Sequence, residues 1–240
     1  MKTRKALIIT LLLVSFSVNK GVCQDEMIKL PVPNLKGSVS VEETMLNRRS
    51  IRDFKPDALS LGQVSQILWA AYGITKEMNS PLTVRGGLKT APSAGATYPL
   101  EIYVVVGNVN GLEKGIYKYL PDGHFLMKTY DQDIRKELAE AALDQEFIEQ
   151  APASLFYSAI FSRTTRKYKS RGRDRYVCID LGHSAENVCL QVVAMGLGTC
   201  PVGAFEDRMV RNAMMIPDKE EPLYIMPIGY PMKESLFKSR

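Results

Sequence analysis

The stretch "DRYVCIDLGHSAENVCLQVVAM", residues 174–195, decides the fold. It is the longest helical pattern in the chain, and its apolar residues fall on nearly every face. A helix of that kind belongs at the centre of a domain. Gly182 inside it costs about 1 kcal/mol against alanine, which predicts close packing against another backbone at that point. Gly196 and Gly198 supply its stop signal.

On its N-terminal side the charged segment 163–175 leads into this helix, and 153–161 reads as a buried strand. Earlier in the chain, 102–106 is another buried strand. "GIYKY" and "HFLMKTY", around Pro121, Asp122 and Gly123, form a hairpin, and a helix follows over 131–143. The spacing predicts a short helix over 41–47. Ser60 with Gln63 forms a capping box that opens a second helix through Leu61, Val64, Ile67, Leu68 and Ala71, closed by Gly73. The polar, glycine-bearing stretch 76–97 is too long for a plain connector, so it is a candidate binding loop. On the C-terminal side, 206–216 is a last short helix and 223–228 a third buried strand. No internal repeat or low-complexity linker interrupts this order, which gives one α+β domain over 41–240, preceded by an extension over 24–40.

The first residues read differently. Lys2, Arg4 and Lys5 precede the apolar run 6–14, and Gly21, Val22 and Cys23 end it in compact residues. That is the pattern of a signal peptide over 1–23, and it predicts export to a periplasmic or extracellular location. A membrane anchor would need ~20 apolar residues, far more than this run holds. Val22 and Lys20 disfavour lipoprotein processing at Cys23. Removing the segment takes Lys+Arg from 31 to 27 against 26 acidic residues, so the formal charge falls from +5 to +1. The basic balance therefore implies no nucleic-acid partner, and nothing after cleavage implies a membrane.

Three cysteines then remain, Cys178, Cys189 and Cys200, an odd number that leaves at least one thiol free or paired between chains. On a helix each step of their spacing covers ~16 Å, so one ion cannot touch all three. Buried apolar thiols are the expectation, with no metal site.

Two motifs fail on context. "GLGTCPVG" follows a helix, whereas a dinucleotide fingerprint must follow a strand and open a helix. "GHSAE" lacks the second glycine of a nucleophile elbow. The chain has only two histidines, His124 in the hairpin turn and His183 on the central helix, and both positions suit structural roles.

Four separated segments remain: "NRRSIRDF" at 47–54, "APSAGATYP" at 91–99, "GLGTCPVGAF" at 196–205 and "FKSR" at 237–240. Arg48, Ser50 and Arg52 alternate along an extended segment, so two guanidinium groups and a hydroxyl converge on one face. Lys238 and Arg240 repeat that logic at the other end of the chain. Small residues in "PSAGA" and "CPVGA" leave room for a flat ring to approach backbone N–H groups. Together they suit a phosphorylated planar cofactor.

In order and spacing these segments resemble the nitroreductase superfamily, from Val41 to Arg240. The resemblance implies a three-layer sandwich, with a central, mainly antiparallel sheet flanked by helices. It also implies an intertwined homodimer with FMN at its interface and NAD(P)H as a transient co-substrate. By matching motif, Arg48 and Ser50 contact the phosphate and ribityl chain, and Arg52 faces the N1/O2 edge of the ring. A fixed positive charge there stabilises the reduced flavin. Lys238 and Arg240 match a late basic pair on the phosphate. Pro92, Ser93, Ala94 and Gly95 line the ring from the partner subunit. Pro201, Val202, Gly203 and Ala204 reach its N5 side, the last three through backbone N–H.

"GIYKYLPDGH", "RKYKSRGRDRY" and "IDLGHSAENVCLQ" are similar to the SagB-type dehydrogenase branch, in which an adjacent lysine and tyrosine serve proton abstraction. Lys167 and Tyr168 stand at the corresponding place, and a solvated basic stretch is the competing reading. Three functions stay open: an FMN oxidoreductase passing hydride to a small oxidised substrate (nitro, quinone-like or unsaturated), a dehydrogenase of a small azoline-like ring or peptide, and a flavin-binding protein without turnover.

Overall fold

The computed structural model describes residues 27–78 and 86–232. The segment read as a signal peptide, the tip of the 76–97 loop, Lys238 and Arg240 lie outside the described residues. In chain order the elements are β1 (Met27–Lys29), α1 (Val41–Asn47), β2 (Leu59–Ser60), α2 (Leu61–Tyr72), β3 (Ile74–Glu77) and β4 (Gly87–Lys89). Then come β5 (Leu100–Val106), β6 (Val109–Asn110), β7 (Gly115–Leu120), β8 (Phe125–Tyr130), α3 (Arg135–Ala141) and α4 (Phe147–Gln150). The chain continues through β9 (Ala153–Ala159), α5 (Ser162–Arg171), one π-helical turn (Gly172–Tyr176), α6 (Val177–Ala194), β10 (Gly198–Thr199), α7 (Asp207–Met214) and β11 (Glu221–Gly229).

Seven strands form one sheet in the order β1-β8-β7-β5-β9-β11-β10, and every pairing in it is antiparallel. The pleat sorts side chains to two faces. Leu100, Ile102, Val104 and Val106 of β5 point into a core shared with Ile67 and Leu68 of α2 and with Val188 and Val192 of α6. Tyr103 and Val105 point the other way, into a core with Leu138 of α3, Ile148 of α4 and Val210 of α7. The result is the expected three-layer α+β sandwich, its two middle strands buried on both faces.

The capping box is formed in both directions: Ser60 Oγ accepts from the Gln63 amide at 3.1 Å, and Gln63 Oε1 accepts from the Ser60 amide at 2.8 Å. A Cβ at Gly73 would stand 2.3 Å from the Trp69 ring, so only glycine closes that helix.

Four expectations need correction. Residues 27–30 are not a detached extension: β1 pairs in register with β8, and Leu30 is buried in the core. The segment 163–175 is not a charged lead-in but α5 and the π-helical turn, which its lack of an apolar stripe conceals. Helix α6 is central yet not enclosed, because Cys178, Ile179, Gly182, His183 and Glu186 leave one face open. A Cβ at Gly182 would meet nothing within 4 Å, so no backbone among the described residues packs there. Cys189 and Cys200 are buried as expected, while Cys178 is exposed.

His124 occupies a structural position. Its Nε2 lies 2.7 Å from Ser65 Oγ and its Nδ1 2.8 Å from Tyr119 OH, and Ser65 Oγ donates to Pro31 O at 2.5 Å. The histidine thus fastens the N-terminal strand segment to α2 and the hairpin. Burial lowers its pKa and favours the neutral ring.

Candidate functional site

The residues singled out by sequence fall into two groups. The first begins where α1 ends, after an N-cap in which Ser40 Oγ accepts from the Glu43 amide. Arg48 takes an extended conformation (φ −58°, ψ 124°), and Ser50 bridges Thr199 in parallel fashion. The Ile51 amide donates to Thr199 O at 3.0 Å. Ile51 and Phe54 are buried against Ala151, so Ser50 and Arg52, on the alternate positions, are presented outward. A Cβ at Gly198 would stand 2.5 Å from the Ile51 side chain. Glycine there lets "RRSIR" and "GLGTC" run side by side.

Arg48 is half-buried and Arg52 exposed, and neither has a carboxylate partner among the described residues. Arg52 lies over the Phe147 ring, 5.9 Å from its centre. Arg48 is close enough to lower the pKa of the Cys189 thiol, although burial and then Glu186 outweigh it and push that thiol up to about 12. Cys189 is therefore an uncharged wall. A cleft of about 350 Å³ opens beside this group, lined by Asn47, Lys55, Val193, Gly196 and Tyr230 among others.

Downstream of Thr199, Pro201 is half-buried and Val202 buried, while Gly203 and Ala204 are exposed. The three-amide expectation needs correction at Val202, whose amide donates to Ile225 O at 2.8 Å in a two-way bridge. Among the described residues, the Gly203 and Ala204 amides meet no acceptor. Gln145 Nε2 donates to Ala204 O at 3.0 Å and steadies the loop.

The second group is built on "APSAGATYP". Ser93 Oγ donates to Asp180 Oδ2 at 2.5 Å, and the Ala94 amide donates to Asp180 Oδ1 at 3.1 Å. Ser93 Oγ also accepts from the Tyr98 amide at 2.9 Å. The loop is thereby fixed to the first turn of α6. Asp180 is buried, which raises its pKa; Ser93 and the Ala94 amide act in the opposite sense. Gly95 adopts φ +60°, in the left-handed region, and Pro92 and Gly95 are exposed. Over Gly95 stand Tyr168 OH and Lys167 Nζ, 2.5 and 2.7 Å from where a Cβ would be. Tyr168 is held edge-on against Tyr176 with ring centres 4.9 Å apart.

Helix α6 separates the two groups. Ser93 is tied to Asp180 near its start, and Ser50 is bridged to Thr199 beyond its end. Fourteen residues of helix between Asp180 and Ala194 span ~21 Å. One chain therefore carries the two groups of candidate residues at opposite ends of one helix. Sequence reasoning missed Asp180, although a carboxylate on the same stripe as Val177, Ser184 and Val188 signals a buried partner.

A family model described as "Nitroreductase family" matches residues 45–230. The chain belongs to the nitroreductase family. A Methanocaldococcus jannaschii protein provisionally named a nitroreductase is 45% identical over 204 residues, covering 85% of this chain and 97% of that protein. The crystal structure of a Ralstonia eutropha protein with the same provisional name shares 28% identity. It covers 86% of this chain and 90% of that one, with a TM-score of 0.73. The FMN reductase (NADPH) of Bacillus subtilis is 24% identical over 205 residues, covering 82% of this chain and 68% of that protein. Family membership agrees with the three layers and the antiparallel sheet derived above.

Proposed function

We propose that this nitroreductase-family chain is an FMN-dependent oxidoreductase whose flavin lies between two copies, one contributing each half-site. The observation that carries the reading is the donor set. Arg48, Ser50 and Arg52 with the Gly203 and Ala204 amides offer cations and N–H groups that no acid among the described residues pairs with. That chemistry fits a phosphorylated ring, and the glycine at position 198 lets the segments that carry these donors lie side by side. Relatives named for FMN and NADPH support the same cofactor pair.

When bound, the flavin supplies hydride transfer. The chain's own residues bind and orient it. Arg48 and Ser50 hold the phosphate and ribityl chain, and Arg52 places positive charge at the pyrimidine edge. Gly203 and Ala204 donate hydrogen bonds near N5, and Ser93 to Gly95 of the second copy close the ring's environment. The second copy also explains the open face of α6. Helices α1 and α6 pack together and leave Val41, Met45, Leu46 and Ile179 exposed, an apolar surface suited to self-association. Gly182, with nothing among the described residues within 4 Å of a Cβ there, permits close approach of a partner helix. Lys238 and Arg240 join the phosphate group of contacts in this reading, and the leader places the enzyme outside the cytoplasm.

Dialysed against FMN, the protein is expected to become yellow with about one flavin per chain, as equivalent sites in a two-fold dimer require. A dimer that stays colourless with excess FMN contradicts the proposal. The smaller alternative, a flavin protein without turnover, requires a bound flavin that neither nicotinamides nor dithionite reduce.

The placement of Lys167 and Tyr168 over Gly95 favours a second reading, a SagB-type dehydrogenase of a small ring or peptide. Replacing both, as Lys167→Met with Tyr168→Phe, is then expected to abolish substrate oxidation while flavin content is retained. Unchanged turnover rejects the dehydrogenase reading.

A further inference from the structure

The segment 162–175 carries more positive charge than the fold uses. Arg163 is paired with Glu101 and donates to the carbonyls of Tyr98 and Pro99. Arg173 makes a two-pronged pair with Glu221 at 2.8 and 2.5 Å. Arg166, Lys167, Lys169, Arg171 and Arg175 are exposed and have no ion-pair partner among the described residues. Asp174 is the one acid of the segment. Like charges at helical neighbour positions, such as Lys167 and Arg171, oppose helix formation by ~0.2–0.5 kcal/mol a pair. The helix and its π-helical turn form regardless, and they run beside the second half-site.

Two of these residues' neighbours are specific. Lys167 Nζ and Tyr168 OH meet over Gly95, whose own amide has no acceptor among the described residues. The carboxylate nearest this loop, Asp180, is already bonded to Ser93 and Ala94. The spot therefore presents an ammonium, a hydroxyl and an N–H, and among the described residues no carboxylate pairs with that ammonium. The backbone just beyond is strained: Lys169 has φ 54° and ψ −141°, a region that non-glycine residues rarely occupy. Close packing follows, since a Cβ at Gly172 would press on the Thr164 backbone at 3.1 Å. Tyr168 itself is packed edge-on against Tyr176, with its hydroxyl toward Gly95.

We propose that the small substrate exchanging hydride at this site carries an anionic oxygen group, carboxylate or phosphate, received by Lys167 and Tyr168 at Gly95 and drawn in by the unpaired cations of 166–175. This rests on the flavin reading above. Charge-assisted hydrogen bonds contribute about 1.5–3 kcal/mol, so the anion is worth about 10- to 100-fold in affinity. The surrounding cations act within a Debye length of ~8–10 Å, so part of that preference is salt-sensitive.

The test is calorimetric titration of the FMN-loaded dimer with benzoate and with benzamide, which match in shape and differ in charge, and with phenyl phosphate as a second anion. At low salt, benzoate or phenyl phosphate is expected to bind at least about tenfold more tightly than benzamide, and the tighter of the two identifies the preferred group. The gap should shrink at 0.5 M salt, collapse in Lys167→Met and survive largely in Lys167→Arg. Joint replacement of Arg166, Arg171 and Arg175 by glutamine should reduce the salt dependence while flavin content and benzamide binding hold. Equal binding of all three compounds by a yellow dimer overturns the anion proposal alone and makes the segment a solvated basic face. A protein that takes up no FMN overturns the functional reading, and this inference with it.

Discussion

Glu220→Ala is expected to destabilise the protein by about 3–5 kcal/mol, the range for stripping one partner from a buried charged network. Glu220 is fully buried. Its carboxylate accepts from Tyr103 OH at 2.9 Å, Ser158 Oγ at 2.6 Å and Lys118 Nζ at 3.0 Å. Lys118 also pairs with Glu101 at 2.7 Å, and Glu101 with Arg163 at 2.5 Å. Burial alone would raise the Glu101 pKa, but Lys118 and Arg163 hold it below the ordinary glutamate value. With that sign, the Glu101 contribution is complete above its unfolded value of 4.5 and is lost as pH falls below it. Removing the Glu220 carboxylate leaves two hydroxyls without an acceptor and Lys118 with a single counter-charge. For a chain of this length the loss lowers Tm by on the order of 10 °C. Urea unfolding at pH 7 measures it, and Glu220→Gln, which keeps the shape and part of the hydrogen bonding, should cost less. Loss under 1 kcal/mol would show that the network is not what joins sheet and helix here. Arg163 is the second residue of α5, so this chain of charges also anchors the helix that carries Lys167 and Tyr168.

The second large effect is on cofactor binding. Arg48→Ala is expected to weaken FMN affinity by about 10- to 100-fold, the equivalent of one charge-assisted hydrogen bond to phosphate. Stability should change little, because Arg48 has no ion-pair partner in the fold among the described residues. Fluorescence titration of FMN against both proteins, with urea unfolding alongside, separates the two effects. Arg48→Lys should recover part of the affinity, since a point charge replaces a planar fork. Unaltered FMN affinity in Arg48→Ala would remove this arginine from the site.

Much of this fold is legible in the residues because local and global preferences agree. Ser60 and Gln63 specify the start of α2 by mutual hydrogen bonding, and a glycine that must be flat against Trp69 specifies its end. The hairpin of β7 and β8 follows from alternation around a proline-aspartate-glycine turn. What escapes is what only tertiary contact decides. Strand β1 is three residues long and becomes a strand by finding the edge of β8. Helix α5 buries little besides Thr164, so it has no apolar period to read. The openness of α6 was hidden for the opposite reason, because Cys178, Ile179 and Gly182 carry the apolar pattern onto a face that stays exposed.

The candidate site divides in the same way. Arg48, Ser50 and Arg52 stand out by type and alternation, whereas Gly198 reads only as a helix stop until Ile51 is brought against it. The Val202 amide looked available, yet a bridge to Ile225 consumes it. Asp180 went unread, since a carboxylate inside an apolar helix acquires meaning only once Ser93 is brought to it from 87 residues away.

The claim that two copies share each flavin site is tested most directly by mixing two defective chains, Arg48→Ala and Gly95→Val, each of which spoils one half-site. A heterodimer of the two contains one site with both defects and one with neither. FMN affinity weakened in each variant alone should return to the parent value in the purified heterodimer at about one FMN per two chains, as the two-fold arrangement dictates. If the heterodimer binds no more FMN than its parents, the halves at the two ends of α6 do not meet across an interface, and the account of the site is wrong.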